Sequence, residues 1–341
     1  MKTMKAIVLE PDHLDRHPHL LLKTVPFPKP TADSIRIRVH AFGLNRGDLR
    51  PRADQHPPSA RPSRIPGSEA VGVVDAAGSA ALEQTFPRGS VVATAGGGMG
   101  RSFDGAYAEY TCVPARQVHV LRRPHRGADG DEIRWEILGA LPRLLPTAWG
   151  AVIRGLALRA GERVLVRGGT TTVGLAAIAI ATTHGAFVAA TTRRAERVDV
   201  LREAGAREVW IDDGEVATQM RRRGVDGFDK VLELVGARTL RDSLRCARKS
   251  GTVCLAGTVD GEEEERILAG VDVMELIPSE TRLTVYSGSE EEFMRTPLAE
   301  MVRMVEDGRL KIGVGRVLRM EEVVQLSWME GEVVGKMVAL T

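Results

Sequence analysis

The chain is poor in cysteine and in aromatic residues. Its three cysteines, Cys112, Cys246 and Cys254, form neither a disulfide framework nor a metal-binding pattern, which fits a reducing compartment. Four Trp, three Tyr and seven Phe offer few stacking platforms for nucleic acid. A formal net charge of +2 over 341 residues gives no global field for nucleic acid or membrane. The N-terminal MKTMKAIVLEP holds no apolar core long enough for a signal peptide. VGLAAIAIATTHGAFVAA (173–190) is apolar enough to suggest a membrane span, but His184 and Gly185 divide it into two shorter elements. These features point to a cytoplasmic protein without a membrane anchor.

What is present changes rhythm along the chain. Up to about residue 122 the signals are short and strand-like: KAIVLE, SIRIRVHAFGL, AVGVVDAAG, SVVATA, YAEYTCV and QVHVL, separated by Pro, Gly and Asp turns. After about residue 140, strands and helices alternate. RVLVR, FVAATT, VWI, DKVLELV, GTVCLAG and RLTVYSG read as strands. TVGLAAIAIATTHG, RAERVDVLREAG, EVATQMRRRG and TLRDSLRCARKSG read as the helices between them, closed by Gly185, Gly205, Gly224 and Gly251. Such alternation implies a parallel sheet with helices on both faces. The last fifty residues hold a helix near 297–307 and two strand-like pieces, GVGRVLRM and GKMVALT, which return to the first domain. The expected division is 1–140, 141–288 and 289–341. Pro51–Pro66 reads as an irregular loop, EEEE at 262–265 as a solvated one, and AGGGMGRSFDG (95–105) as a soft lip. Cys246 and Cys254 fall in a helix and a strand and read as core.

The stretch RVLVRGGTTTVG (163–174) places a Gly-rich turn between a strand and a helix, the context a phosphate cradle needs. Gly168 suits the tight turn and Gly174 the close packing of helix on strand. Thr170, Thr171, Thr172 and Val173 lie between them, where a hydroxyl can donate to a phosphate oxygen. The helix N-terminus adds free N–H groups and partial positive charge. At the tip of the next strand, an acid would bond the ribose hydroxyls of NAD. Here Thr192, Arg193 and Arg194 stand there, with Arg197 a turn later; arginines pair with a 2′-phosphate, so the cofactor expected is NADP(H).

NRGDL, PGSEAVGVV, GAYAEY, LPRLLPTAWG and GERVLVRGGTTTVG occur in an order that resembles the medium-chain dehydrogenase/reductase superfamily, most closely its zinc-free quinone oxidoreductase and enoyl reductase branch. The resemblance runs along nearly the whole chain. It implies an α/β protein: a GroES-like β-rich catalytic domain, split in sequence, with a Rossmann doubly wound parallel-sheet domain inserted. It also implies a cofactor held between the two and a homodimer. Zinc-dependent relatives carry a cysteine where this chain has Asn45 and Arg46, and G-H-E where it has Gly67, Ser68 and Glu69. They also carry four spaced cysteines where ATAGGGMGRSFD has none. His40 and Glu69 alone are too few to hold zinc, so none is expected.

By the same resemblance, Asn45 lies beside the nicotinamide and ribose, and Thr147 faces the ring. Val235, Gly236, Ala256 and Gly257 follow the strand ends that line the pocket, and Lys336 and Met337 come close. Several relatives place a tyrosine five residues past Asn45; this chain has Arg50, which can bind an enolate or carboxylate but cannot release a proton. Water, Tyr107 or Tyr286 is left as the proton source. Arg46, Arg50, Arg52, Arg61 and Arg64 would suit an anionic substrate, or form the surface of an arginine-rich loop.

Oxidising an alcohol requires stabilisation of an alkoxide, which zinc supplies. A quinone, or an alkene conjugated to a carbonyl, accepts hydride without it. The sequence therefore favours a zinc-independent NADPH-dependent reductase of quinones, enones or enals. An enoyl-thioester reductase of lipid or polyketide assembly is the second possibility. A third is an NADPH-binding protein with a regulatory or RNA-binding role, for which the charge and aromatic content give little support.

Overall fold

The computed structural model describes residues 1–10, 19–49, 65–124, 133–257, 270–326 and 333–341, with nothing to be said of the Arg46 and Leu49 side chains. The chain divides into two units. One comprises Met1–Arg143, Ser289–Arg303 and Val314–Thr341, and the other Leu144–Gly288 and Met304–Gly313. The C-terminal return expected over 289–341 is thus interrupted, because 304–313 goes with the second unit. There Leu310 N–H donates to Met304 C=O, and the Thr183 hydroxyl donates to Arg309 C=O at 3.5 Å.

The first unit begins with β1 (Thr3–Glu10), β2 (His19–Pro26), β3 (Ser34–Gly43), β4 (Glu69–Ala77), β5 (Val91–Ala95), β6 (Tyr110–Pro114) and β7 (Val118–Arg122). The second holds β8 (Arg163–Arg167), β9 (Phe187–Thr192), β10 (Glu208–Ile211), β11 (Phe228–Glu233), β12 (Ala247–Leu255) and β13 (Arg282–Val285). The first unit closes with β14 (Val314–Arg319) and β15 (Lys336–Leu340).

β3 shows why the first unit is a sheet. Ile35, Ile37 and Val39 alternate with Arg36 and Arg38, so one face enters the core and the other can hold charge. Arg36 pairs with Asp75 at 2.7 Å on that outer face. The order β14-β15-β3-β4-β5-β7, with β6 also on β3, brings the C-terminal β15 beside β3. Leu340 thereby pairs with Ala41 and Val338 with Gly43. Ile7, Ile35, Ile37, Phe42 and Tyr107 are fully buried in this core.

The second unit is a six-stranded sheet in the order β10-β9-β8-β11-β12-β13, every pairing parallel. Strand order reverses between β8 and β11, and ligands of such sheets bind outside the C-terminal strand ends at that point. Val164, Leu165 and Val166 are fully buried, the continuous apolar run that a sheet covered on both faces requires. Helix Thr172–Thr183 is apolar nearly all round, with Ala176, Ala177, Ile178 and Ala181 buried; it packs as core. At 12 residues it is too short to span a bilayer, and no described helix is long and apolar enough to do so.

Two elements depart from the sequence-based expectation. The helix expected through Gly251 ends at Cys246, and Ala247–Leu255 forms β12. Pairing of Ala247 with Phe228 and of Arg248 with Asp229, at 2.6 Å, overrides the helical pattern of ARKS. The lip at 95–105 is tied down: Met99 is buried, Gly96 N–H donates to Ser68 C=O, and Gly100 N–H donates to Phe103 C=O. The 262–265 loop lies outside the described residues. Cys246 and Cys254 are fully buried.

Candidate nucleotide site and the buried polar cluster

In the second unit, Gly168 takes a φ of +80°, a conformation that favours glycine. Its N–H donates to the Thr191 hydroxyl at 3.1 Å, and the Gly169 N–H donates to the Thr191 carbonyl at 3.1 Å. Both glycines of the turn are thereby fastened to β9. A Cβ on Gly174 would stand 2.7 Å from the Gly169 carbonyl oxygen and closer still to that of Gly168, so only glycine lets the helix start so near the strand. Thr171 caps the helix: its hydroxyl accepts from Gly174 N–H at 3.0 Å and donates to Gly168 C=O at 2.8 Å. That hydroxyl is engaged within the turn, whereas those of Thr170 and Thr172 make no such bond among the described residues. The remaining first-turn amides have no intrahelical acceptor.

β9 ends at Thr192, which is buried, and Arg193 and Arg194 follow it, exposed. The Thr192 hydroxyl both donates to Arg194 C=O and accepts from Arg194 N–H, at 3.2 Å each, so the turn that carries the arginines is fixed. Arg197 is half-buried one turn on. Across the switch point, Val235 and Gly236 N–H donate to Glu233 Oε1 at 2.6 and 3.0 Å. Ala256 N–H donates to Glu233 C=O, and a Cβ on Gly257 would lie 3.1 Å from Leu234 C=O. The four residues expected to line the nicotinamide pocket therefore cluster at two adjacent strand ends. Thr147 is half-buried in helix Leu141–Trp149, whose Pro146 C=O accepts the Tyr286 hydroxyl at 3.2 Å.

The first unit holds a separate polar cluster around Asn45. Lys336 Nζ lies 2.7 Å from Glu69 Oε1 and donates to Asn45 Oδ1 at 2.6 Å. Asn45 Nδ2 donates to Glu69 Oε1 at 2.9 Å and to Asp48 Oδ2 at 3.2 Å. Arg143 N–H donates to Glu69 Oε2 at 2.9 Å, and the Tyr107 hydroxyl donates to Asp48 Oδ2 at 3.2 Å. Glu69 and Tyr107 are fully buried and Asp48 and Lys336 nearly so. Gly43 makes room for this, since a Cβ there would collide with the Glu69 carboxyl and Lys336 Cε. Burial, and then the charge of Asp48, push the Tyr107 hydroxyl well above its ordinary pKa. Neither tyrosine weighed as a proton source has a hydroxyl without an acceptor. Arg50, and with it Arg52, Arg61 and Arg64, lies outside the described residues.

This donor set does not suit zinc. The Asn45 amide, the Arg143 N–H and the Lys336 ammonium surround the Glu69 carboxyl, so a cation already stands there. His40 instead stacks on Trp135, with ring centroids 4.2 Å apart. Burial pushes the Cys112 thiol up to about 11 and the Cys254 thiol up to about 12.

No residue pattern signals a third feature, the burial of Arg167 at the end of β8. Its guanidinium is fully buried against Asp212 and Asp242, at 2.8 and 2.7 Å. Its partners lie just after β10 and in the helix Ala237–Cys246, far along the chain, so only the fold collects them.

Comparison with known proteins places these features. Residues 31–123 match the alcohol dehydrogenase GroES-like domain, and residues 172–306 match the zinc-binding dehydrogenase domain. The chain belongs to the medium-chain dehydrogenase/reductase superfamily, on its quinone oxidoreductase branch. It is 27% identical to human quinone oxidoreductase over 307 residues, 89% of this chain and 87% of that one. A mycobacterial protein solved in complex with NADPH is 25% identical and superposes with a TM-score of 0.79 over 99% of this chain and 100% of that one. A polyketide synthase of Streptomyces halstedii is 31% identical over 194 residues, 56% of this chain and 3% of the synthase. The family makes the chain an oxidoreductase, and its fold is the GroES-like plus Rossmann fold that the resemblance implied.

Proposed function

We propose that this oxidoreductase uses NADPH, without zinc, to reduce a quinone or the C=C bond of an α,β-unsaturated carbonyl compound. The observation that carries this reading is the cluster at Glu69, where Lys336 and Asn45 replace the donors a catalytic zinc would need. Without a Lewis acid, alkoxide chemistry loses its main stabilisation, and an acceptor that is already electrophilic becomes the favoured substrate. When bound, the reduced nicotinamide supplies the hydride.

The chain's own residues would do the rest. Gly168, Gly169 and Gly174 open the turn, and the orphan amides at Thr172 and Val173 would receive the pyrophosphate. Arg193 and Arg194 would pair with the 2′-phosphate, where an acidic residue would select NADH. Val235, Gly236, Ala256 and Gly257 would hold the nicotinamide end. With the Tyr107 and Tyr286 hydroxyls committed to Asp48 and Pro146, water would return the proton. The similarity to quinone oxidoreductases and to an NADPH-bound structure supports this reading.

The similarity to a polyketide synthase favours a second reading, in which the acceptor is an enoyl thioester. Loss of reduced-nicotinamide absorbance against quinones, enones and enoyl thioesters separates the two. Turnover confined to thioesters would replace the first reading with the second, and no turnover of any of the three would overturn both.

A further inference from the structure

We infer that Arg167, Asp212 and Thr191 form a buried positioning relay that holds the phosphate turn in shape for the nucleotide. The inference rests on the nucleotide-binding role proposed above for residues 168–174. It concerns residues that contact no ligand themselves.

Arg167 directs Nε to Asp212 Oδ2 at 2.9 Å and a terminal nitrogen to Asp212 Oδ1 at 2.8 Å, a bidentate pair. Its other terminal nitrogen reaches Asp242 Oδ2 at 2.7 Å, Ser243 Oγ at 3.2 Å and Thr239 C=O at 3.2 Å. Asp212 Oδ2 also accepts the Thr191 hydroxyl at 3.2 Å. That donation leaves the Thr191 oxygen to accept the Gly168 N–H, while the Thr191 carbonyl accepts the Gly169 N–H. A continuous chain thus runs from the guanidinium, through a carboxylate and a hydroxyl, to the Gly168 amide, while the main chain of the same Thr191 holds Gly169.

The same network reaches the opposite lip of the switch point. Ser243 donates to Glu233 Oε2, and Glu233 Oε1 receives Val235 and Gly236 N–H. One buried cation therefore stands behind both strand ends where the cofactor is expected. Burying a guanidinium is costly, and an apolar side chain of similar volume often stabilises a fold as well or better. Stability alone does not explain an arginine here, whereas fixing the direction of the Gly168 amide does. Without the Thr191 oxygen, that amide has no other acceptor among the described residues, and its direction is no longer fixed.

The test uses T191V, which keeps the side-chain volume and removes the hydroxyl, with T191S as the restoring variant and D212N as a second break. R167M is uninformative if it fails to fold, so the test does not depend on it. NADPH and NADH affinities are measured by fluorescence titration, with KM and kcat against the best acceptor. One lost hydrogen bond is worth about tenfold. The expected result is therefore an NADPH Kd and KM raised about tenfold in T191V and D212N, with kcat at saturation within about twofold. T191S should return to the wild-type values. The NADPH-to-NADH affinity ratio should not change, because the 2′-phosphate contacts are elsewhere. Wild-type affinity in a folded T191V, or a T191S as weak as T191V, would overturn the relay while leaving the nucleotide site standing. A wild-type protein that binds neither nucleotide would overturn both.

Discussion

Replacing Lys336 with methionine tests the buried cluster of the first unit most sharply. The change keeps the aliphatic stem and removes the ammonium paired with Glu69, a carboxylate with no exposure to solvent. Breaking a buried ion pair by removing one partner costs about 3–5 kcal/mol, mostly the penalty of the charge left behind. Glu69 would keep two hydrogen bonds, from Asn45 Nδ2 and Arg143 N–H at 2.9 Å each. Those retained bonds place the expected cost near the lower end, about 3 kcal/mol. For a domain of this size that corresponds to a fall in Tm of about 6–12 °C. Urea unfolding of the wild type, K336M, E69Q and the double variant E69Q/K336M gives the assay. The double variant should cost less than the two singles together, with a coupling of about 1–3 kcal/mol, because neutralising Glu69 removes the stranded charge. A K336M variant destabilised by less than about 1 kcal/mol, or strictly additive singles, would refute the cluster as described.

Further outcomes follow from other sites. G174A should abolish measurable nucleotide binding or destabilise the second unit by about 1–3 kcal/mol, since its Cβ meets two backbone carbonyls that cannot retreat; wild-type NADPH affinity in G174A would contradict this. R193A/R194A should lower the preference for NADPH over NADH by about tenfold or more, read from the ratio of kcat/KM values, and an unchanged ratio would remove the 2′-phosphate assignment. Y107F should lower Tm, because a buried donor to Asp48 is lost, yet keep kcat within a few-fold; a loss of kcat by orders of magnitude would make that hydroxyl the proton source. Burial alone would raise the Asp212 carboxyl, but the hydrogen bonds and charge of Arg167 outweigh it and hold the group below the usual carboxylate range. Its contribution to stability is complete above an ordinary Asp value of about 3.9 and is lost as pH falls through the lower folded value. The stability gap between wild type and D212N should therefore shrink below about pH 4, and a constant gap down to strong acid would contradict the pair.

Local features were the ones legible in the residues. The turn at 168–174 is set by a positive φ at Gly168 and a close approach at Gly174, and both demands act within a few residues, where sequence pattern reports them. The alternation of β3 and the continuous apolar run of β8 were equally plain. β2 was not, because HLLLKTVP does not alternate and is a strand only through its register with β1, from Thr3 against Pro26 to Glu10 against His19. Helix Ala237–Cys246 stops short of the helical pattern for a related reason: pairing with β11 claims ARKS for the sheet. The polar clusters show the deeper limit. Lys336 and Asn45 are 291 residues apart, and Arg167 draws its partners from 45 to 76 residues away. A charged residue at a strand end reads as a surface group until the fold surrounds it with carboxylates.

The central claim is NADPH-dependent reduction without a metal, and one experiment meets it directly. The purified protein is treated with a strong zinc chelator, and oxidation of NADPH and of NADH is followed against a quinone, an enone and an enoyl thioester. Undiminished turnover of one acceptor class after chelation, with NADPH preferred over NADH, is the predicted result. Activity that disappears on chelation and returns with added zinc, or that runs equally well on NADH, would contradict it.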